Sequence, residues 1–353
     1  MPILGNVFAG ASKLNYLSVL STSSPYILLY PWVRGTGIGT KFSDPSVAAV
    51  APTSSRQSSK FSTSSNYFIA SGSSSPYMQV YPVTRTGFGT KVSNPSTLLT
   101  TSAIAVNFTP SNNDVVANKN SVPSAWSWTN SGFGTKYTDS STVMTYANTY
   151  SGTVNSVGDD VFQGGSQSTN LMNAWAFISG TGWGSQYSSP SYLSSGVNYQ
   201  GYSTNPTGNL LMVAGVTPRV QLISWTTGTG FGTQIATSNA IDESYRGSFN
   251  QTGSFYLNVN SNINAGTPFV FFQAIPVSTS GFGTTISGPY LTTPIGSTVF
   301  YNGKFSPYGT EIAMATNLSN SIYTYPFTGS SFGTKYSDPA TLPSATVIDV
   351  QFG

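Results

Sequence analysis

Short runs of hydrophobic and aromatic residues, separated by segments rich in Gly, Ser and Pro, follow one another along the whole chain. Within many runs apolar and polar positions alternate, as in YMQVY at 77–81 and IYTY at 322–325. A period of two is typical of β-strands, because successive side chains point to opposite faces of a sheet. No stretch shows the period of an amphipathic helix, so the pattern predicts an all-β protein.

One phrase recurs seven times, in forms such as GFGTKVSNPS and GFGTKYTDSS. Its copies lie 45 to 51 residues apart and together fill the 353 residues. Regular spacing of this kind indicates a repeat architecture, which leaves no room for a second domain. The copies begin at Gly37, Gly87, Gly132, Gly182, Gly230, Gly281 and Ser331.

Each repeat unit contains four strand-like runs, of which the phrase is the last. Four short strands in a unit of this length, repeated seven times, are typical of a β-propeller blade. A β-sandwich gives no reason for seven equal units, and the rungs of a β-helix are usually shorter. The sequence therefore predicts one domain over residues 1–353, an all-β, seven-bladed β-propeller with four antiparallel strands in each blade.

Two segments compete for the innermost strand of the first blade. The C-terminal segment VIDVQF at 347–352 matches the innermost strand of a later unit, and residues 6–8 could occupy the same position. We favour the C-terminal segment, because it would tie the last blade to the first. Residues 1–10 would then be an N-terminal arm.

The composition excludes several classes of function. Only 7% of the residues are charged, with 13 basic and 10 acidic side chains, and both Cys and His are absent. Disulfides, zinc fingers, Cys–His nucleophiles and Ser–His–Asp triads are therefore excluded. So few basic residues argue against nucleic-acid binding, and no apolar run is long enough for membrane insertion. With so few ionisable groups, the stability should be nearly flat from about pH 4 to 9.

The carboxylates do not suggest a catalytic pair. Asp159 and Asp160 follow a glycine in what reads as a hairpin turn, and Asp242 and Glu243 read as a loop. Adjacent side chains in a strand point apart, so neither pair is expected to converge. Asn112, Asn113 and Asp114 lack the ligand spacing of a calcium loop and read as a turn. We therefore expect no enzyme activity and no catalytic, cofactor-binding or metal-binding residues.

Aromatic and basic residues suggest two kinds of binding surface. Five of the six Trp residues lie in or beside the third run of a unit and are expected to pack between blades, whereas Trp183 lies in the phrase and could stack on a sugar. Lysines at equivalent places in four phrases, with Arg34 and Arg85 nearby, would form a weakly basic rim. Lysine on an edge strand also prevents pairing with another chain. The four lysines are Lys41, Lys91, Lys136 and Lys335.

The last unit carries a recognisable repeat. FSPYG at 305–309, IYTYPF at 322–327 and SFGTKYSDPATLP at 331–343 resemble the WD-repeat-like β-propeller repeats of proteins from bacteriophages and some bacteria. The resemblance extends over all seven units and is weakest at 159–201, where Trp183, Ser185 and Gln186 depart from the pattern. It implies a propeller fold and, for phage members, a virion component; it implies no reaction.

These observations predict a non-enzymatic structural or binding module. We expect a bacteriophage virion protein, as a capsid decoration, tail or fibre component, that presents variable loops to other virion proteins or to a host surface glycan or receptor. Outside a phage it would be extracellular or on a cell surface. A carbohydrate-binding, lectin-like propeller is the alternative. No binding residue is assigned, but contacts are expected in the variable segments 51–59, 141–150, 236–245 and 260–267.

Overall fold

A computed structural model describes residues 15–54, 56–119, 122–140, 148–158, 160–166, 172–193, 199–215, 219–238, 246–260, 270–289, 299–318 and 322–353. These residues form seven separate antiparallel sheets, which are the blades of a seven-bladed β-propeller, and they contain no helix. The predicted fold class is confirmed.

Within each blade the strands run in order from the central channel outwards. Blade 1 consists of β28 (Val347–Phe352), β1 (Asn15–Ser21), β2 (Ile27–Val33) and β3 (Gly37–Ile38); blade 2 of β4 (Ser59–Phe61), β5 (Tyr67–Ser71), β6 (Met78–Thr84) and β7 (Gly87–Phe88); blade 3 of β8 (Ala103–Phe108), β9 (Asp114–Lys119), β10 (Ser124–Thr129) and β11 (Gly132–Lys136). Blade 4 consists of β12 (Asn148–Val154), β13 (Asp160–Ser166), β14 (Met172–Ile178) and β15 (Gly182–Tyr187); blade 5 of β16 (Tyr199–Thr204), β17 (Leu210–Gly215), β18 (Val220–Thr226) and β19 (Gly230–Ser238). Blade 6 consists of β20 (Ser248–Phe249), β21 (Phe255–Val259), β22 (Phe272–Ser278), β23 (Gly281–Phe282) and β24 (Ile286–Ser287), and blade 7 of β25 (Phe300–Phe305), β26 (Glu311–Thr316) and β27 (Ile322–Pro326).

The fourth strand is the least regular part of a blade. In blade 6 it is divided, since β23 and β24 both pair with β22. In blade 7 it is reduced to a single bridge between Phe327 and Phe332. The second glycine of the phrase explains part of this irregularity, because it bends the chain against the third strand: a Cβ at Gly333 would lie 2.6 Å from the Pro326 ring.

Stacking of the blades buries both faces of the inner strands. The third strands β2, β6, β14 and β18 share one pattern, in which four residues are buried, one is half-buried, one is buried and the last is exposed. The second strands β9, β17 and β26 are buried throughout. The hydrophobic core therefore lies between neighbouring blades, and alternation between buried and exposed positions appears only at the outer ends of strands.

The C-terminal strand closes the ring. β28 pairs with β1, with Leu17 opposite Phe352 and Val19 opposite Val350, so the last segment of the chain is the innermost strand of blade 1. This confirms the predicted closure. The competing segment 6–8 and the proposed arm at 1–10 lie outside the described residues.

One position at the start of each second strand contacts the following blade. We call it the interblade position, and strand register identifies its seven members as Tyr16, Tyr67, Asp114, Asp160, Leu210, Phe255 and Glu311. The Tyr16 hydroxyl donates to the Thr84 carbonyl at 3.1 Å, and the Gly35 amide donates to Glu311 at 3.2 Å. The Phe255 ring lies 5.1 Å from the Phe327 ring. The same position thus joins neighbouring blades by hydrogen bonds or by apolar contact.

The first glycine of the phrase allows close approach between blades. Gly182 has a φ of +104°, and a Cβ there would lie 3.0 Å from the Cβ of Tyr137 in the preceding blade. Gly37 is placed in the same way against Tyr336. Both the positive φ and the close contact favour glycine at the start of the phrase.

Candidate functional site

The tryptophans do not form a sugar-binding shelf. Five of them, Trp32, Trp126, Trp128, Trp175 and Trp225, are at most 2% exposed, which confirms the predicted packing role. Trp183 is half-buried, and its ring lies 5.3 Å from the Phe177 ring and 6.2 Å from the Trp175 ring. The indole that departs from the repeat pattern is therefore engaged in core packing.

The lysines of the phrase are largely neutralised within the phrase itself. Lys41, Lys136 and Lys335 each form an ion pair with the aspartate three residues later, at 2.6 Å for Lys136 and Asp139. Lys91 instead donates to the side chain of Asn94 at 2.7 Å. These lysines therefore give the rim little net charge with which to attract an acidic partner.

Two carboxylates at the interblade position are structural. Asp160 is fully buried and accepts hydrogen bonds from the Tyr187 hydroxyl (2.7 Å), the Trp225 indole (2.8 Å) and the Thr227 hydroxyl (3.1 Å). The prediction of a turn residue is therefore wrong for Asp160, which begins β13. Asp114 accepts from the Tyr137 hydroxyl at 2.6 Å, and burial together with this carboxylate raises the pKa of Tyr137 to about 12.

Other predicted carboxylate features give no site. Asp159, Asp242 and Glu243 lie outside the described residues. Asn112 has a φ of +55° in the turn before β9, consistent with the predicted turn. Within the described part of the chain, no three His, Cys, Asp or Glu side chains approach closely enough to hold a metal ion.

The central channel contains the best-formed cavity. Because successive strands are antiparallel, the turns between first and second strands lie on one face of the ring, which we call the turn face. There the channel widens into a cavity of 650 Å³, which we call the basin, and six of the seven blades contribute to it. Hydroxyl and amide side chains predominate in its wall, including Ser62, Thr63, Ser156, Thr204, Asn250 and Ser306.

Two lysines project into the floor of the basin. Lys60 in β4 and Lys304 in β25 occupy equivalent register positions, each one residue before a phenylalanine that ends the first strand. Gln351 of β28 holds the same position in blade 1, which lies between them. Both lysines line the basin and also a smaller cavity of 50 Å³ beneath it. Among the described residues, neither ammonium group has a hydrogen-bond or ion-pair partner.

Below the lysines the channel is crossed by an arginine. Arg246, just before β20 in blade 6, is 7% exposed and donates to the main-chain carbonyls of Gln57 (3.2 Å) and Arg56 near blade 2. Blades 6 and 2 are three steps apart around the ring, so this side chain spans the channel. The guanidinium and the two carbonyls form a polar floor beneath the smaller cavity.

A single aspartate accompanies these three cations. Asp349 in β28 is fully buried and accepts hydrogen bonds from the Ser59 amide (2.6 Å), the Ser59 hydroxyl (2.8 Å), Gln351 (3.2 Å) and Asn302. Its oxygens are thus occupied by neutral donors. Among the described residues, three basic side chains and one acidic side chain lie in this part of the channel, and the basic side chains are in excess.

The surroundings of the lysines lower their pKa values. Burial lowers the pKa of Lys60, and the Asp349 carboxylate offsets part of this effect. Burial, with further repulsion from Lys60 and Arg246, lowers the pKa of Lys304 to about 7. A protonated ammonium is therefore unfavourable at this position unless a negative charge lies beside it.

The sequence does contain a signal for these lysines. Both precede the same Phe-Ser pair, in Lys60-Phe61-Ser62 and in Lys304-Phe305-Ser306. Basic residues at equivalent places in two innermost strands must point towards the channel if their phenylalanine neighbours point into the core. Arg246 has no such signal, because it precedes its strand.

A second cavity lies at the outer edge between blades 6 and 7. It is larger, at 840 Å³, but shallow, and it is lined by residues 283–289 and 329–332 together with Pro276. No charged side chain lines it among the described residues, and only two blades contribute. The basin is therefore the better candidate site.

Comparisons with known proteins bear on the fold. No family model and no curated protein matches the sequence. The fold is shared with solved β-propeller structures. A functionally unknown protein from Desulfotomaculum acetoxidans DSM 771 superposes with a TM-score of 0.69 at 10% identity, covering 96% of this chain and 98% of that chain. A candidate 6-phosphogluconolactonase from Bacteroides fragilis NCTC 9343 superposes with a TM-score of 0.69 at 9% sequence identity, and the superposition covers 98% of this chain and 99% of that chain. A second candidate 6-phosphogluconolactonase, from Bacteroides uniformis ATCC 8492, superposes with a TM-score of 0.68 at 14% sequence identity, and the superposition covers 96% of this chain and 99% of that chain.

These neighbours correct one expectation. We expected no enzyme activity because His and Cys are absent, yet two proteins with this fold are described as candidate lactonases. This fold therefore includes proteins described as candidate enzymes, and the expectation of no enzyme activity is withdrawn. At these identities the likeness shows the fold alone.

The described residues include no helix long and apolar enough to cross a membrane.

Proposed function

We propose that this protein is a carbohydrate-binding propeller that takes a sugar-derived ligand into the basin on its turn face. The observation that carries the proposal is the basin itself, a cavity of 650 Å³ whose wall is formed mainly by hydroxyl and amide side chains from six blades. Ligand sites in proteins usually occupy about 300–1,000 Å³. Hydroxyl and amide groups both donate and accept hydrogen bonds, which suits a polyhydroxylated ligand.

An aromatic residue at the basin wall supports this assignment. Tyr308 is 46% exposed, and its position is fixed from blade 1 by Arg34, whose guanidinium lies 4.9 Å from the ring centroid, and by Asn15, which donates to the hydroxyl at 3.0 Å. A fixed aromatic face beside polar groups is suited to stacking on the apolar face of a sugar ring. Two neighbours of the same fold are described as candidate enzymes of a sugar derivative, a phosphogluconolactone.

A glycan array tests this proposal. We expect binding of the purified protein to a subset of glycans, and loss of at least about 80% of the signal in Tyr308→Ala, because stacking contacts contribute about 1 kcal/mol or more. Trp183→Phe is the control, since phenylalanine stands at that position in most other phrases. Binding that depends on Trp183 and not on Tyr308 would place the sugar outside the basin.

For the biological setting, we propose a bacteriophage virion component that contacts other virion proteins or a host surface glycan. The support is the resemblance of the repeat to propellers encoded by phages. The variable segments 51–59, 141–150, 236–245 and 260–267 remain the proposed partner contacts, although residues 55, 141–147, 239–245 and 261–267 lie outside the described residues. Copurification with particles at a fixed stoichiometry would support this setting, and its absence from purified particles would contradict it.

A further inference from the structure

We propose that Lys60 and Lys304 bind the acidic group, a carboxylate or a phosphate, of the ligand in the basin. The inference rests on the proposed function and specifies its ligand as an acidic sugar. Two ammonium groups at equivalent positions in blades 2 and 7 face the same cavity, with the uncharged Gln351 between them.

Of the basic groups in the channel, Arg246 has hydrogen-bond partners, whereas Lys60 and Lys304 have no hydrogen-bond or ion-pair partner among the described residues. Arg246 donates to two main-chain carbonyls, and Asp349 accepts from Ser59, Asn302 and Gln351. No side-chain carboxylate lines the basin in the described part of the chain. Each ammonium can donate three hydrogen bonds, and an oxyanion supplies acceptors for both lysines.

Electrostatic repulsion explains why an anion fits here better than a neutral sugar. Lys60 and Arg246 both lower the pKa of Lys304, so both of these cations lie close enough to Lys304 to repel its ammonium group. Confinement in a partly desolvated channel strengthens both this repulsion and the attraction to a bound anion. An oxyanion between the lysines would compensate the excess charge that Asp349 leaves.

The turns around the basin provide for the rest of the ligand. Ser62 and Ser306 follow the phenylalanines next to the two lysines, Thr204 is the last residue of β16 in blade 5, and Asn250 begins the corresponding turn of blade 6. The charged floor and the hydroxyl-lined wall therefore match a molecule with one acidic end and a polyhydroxylated body.

Titration calorimetry with three ligands of the same carbon skeleton tests the inference. Gluconate carries a carboxylate, glucose 6-phosphate carries a phosphate, and glucose is neutral. At pH 6.5 we expect one or both acids to bind at least about tenfold more tightly than glucose, and Lys60→Met and Lys304→Met each to reduce that affinity about tenfold or more, as expected for loss of a charge-assisted hydrogen bond. The better acid identifies the preferred oxyanion.

Lys91→Met is the matched control, because Lys91 lies in the phrase at the outer rim and should leave binding unchanged. Circular dichroism and thermal melting establish that each variant is folded. Binding of glucose as tight as that of both acids, with no effect of the lysine variants, would overturn the inference and leave the proposed sugar-binding function intact. Failure of both acids to bind would also overturn the inference, whereas failure of the proposed function would appear as an absence of binding to every glycan on the array.

A second measurement does not depend on a variant. For gluconate, whose charge is constant above pH 6, affinity should fall at least about threefold from pH 6.5 to 8.5 as Lys304 loses its proton. The other ionisable groups facing it are Lys60 from β4, Arg246 before β20, Asp349 from β28 and the phenols of Tyr202 and Tyr308 at the basin wall. An affinity independent of pH over this range would contradict a role for Lys304.

Discussion

Carboxylates at the interblade position show how a single residue can serve two blades. Asp160 accepts from Tyr187 in its own blade and from Trp225 and Thr227 in the next, and no basic side chain of the described residues lies within hydrogen-bond distance of it. Blades 3, 4 and 7, which carry an acid at this position, also have Tyr as the sixth residue of the phrase, at Tyr137, Tyr187 and Tyr336. In blades 3 and 4 the phenol donates a hydrogen bond to the acid of the same repeat.

Replacing Asp160 by Ala should destabilise the protein strongly. The change leaves the Trp225 indole and the Tyr187 hydroxyl without their acceptor in a buried place, at a cost of about 3 kcal/mol or more. Asp44→Ala is the control, because its ion pair with Lys41 is exposed and such pairs contribute about 0–1 kcal/mol. Urea unfolding measures both; equal effects of the two substitutions would contradict the role of Asp160.

Lys304 should make the stability depend on pH. Its pKa is about 7 in the folded protein and about 10.5 in the unfolded chain, so between these values the unfolded chain binds more protons. The free energy of unfolding should then rise with pH across this window. We expect Lys304→Met to be more stable than the wild type at pH 7, and this advantage to shrink by at least about 1 kcal/mol by pH 10.

Lys41→Met, which alters a half-buried lysine of the rim, should follow the pH profile of the wild type. Chemical unfolding at several pH values gives the comparison. A constant difference between wild type and Lys304→Met across the window would show that the lysine has an ordinary pKa. The composition alone predicts that stability is nearly independent of pH up to about pH 9. The structure changes this prediction because two of the few charged side chains, Lys60 and Lys304, share the channel.

At the scale of elements, the closing strand β28 is a short segment with a large effect. Val347, Ile348 and Val350 are each at most 1% exposed, and the strand also supplies Gln351 to the cavity wall and the buried Asp349 that binds Ser59 and Asn302 of the neighbouring blades. Burying each aliphatic side chain contributes about 1.5–3 kcal/mol. Three of them therefore approach the whole stability of an ordinary domain, about 5–15 kcal/mol.

We expect Val350→Asp to lower the melting temperature by at least about 10 °C or to prevent folding, because it buries an unpaired charge between blades. Val47→Asp is the matched control, since Val47 is 44% exposed and the same change there should be nearly neutral. Thermal melting followed by circular dichroism distinguishes the two. A small effect at Val350 would mean that blade 1 does not need its innermost strand.

The elements were largely predictable, because the repeat aligns seven weak strand signals and the spacing of Phe352 from the last phrase matches that in an internal unit. The candidate site was not. Lys60 and Lys304 are 244 positions apart and meet only because the ring brings blades 2 and 7 to either side of blade 1. Asp160 was misjudged for the same reason, since its partners Trp225 and Thr227 belong to another repeat.

For the whole molecule, folding and binding should respond differently to salt. The core between blades is apolar and the rim lysines are paired within the phrase, so the melting temperature should change by less than about 2 °C between 0.05 and 0.5 M NaCl. Binding of an acidic sugar should weaken severalfold over the same range, because chloride competes for the lysines. Differential scanning calorimetry and titration calorimetry on one preparation measure both; a parallel response would contradict this separation.

Arg246, which reaches from blade 6 to the carbonyls near blade 2, decides what kind of molecule can use the channel. A polymer cannot thread through a passage that is crossed by a buried side chain, so its repeating units could not slide past the lysines one after another. Only a free ligand or the terminal residue of a glycan chain could reach the floor. Binding at this site would then depend on the molar concentration of chain ends and not on the length of the chains. A long polysaccharide and its terminal sugar would therefore compete with similar affinity per mole.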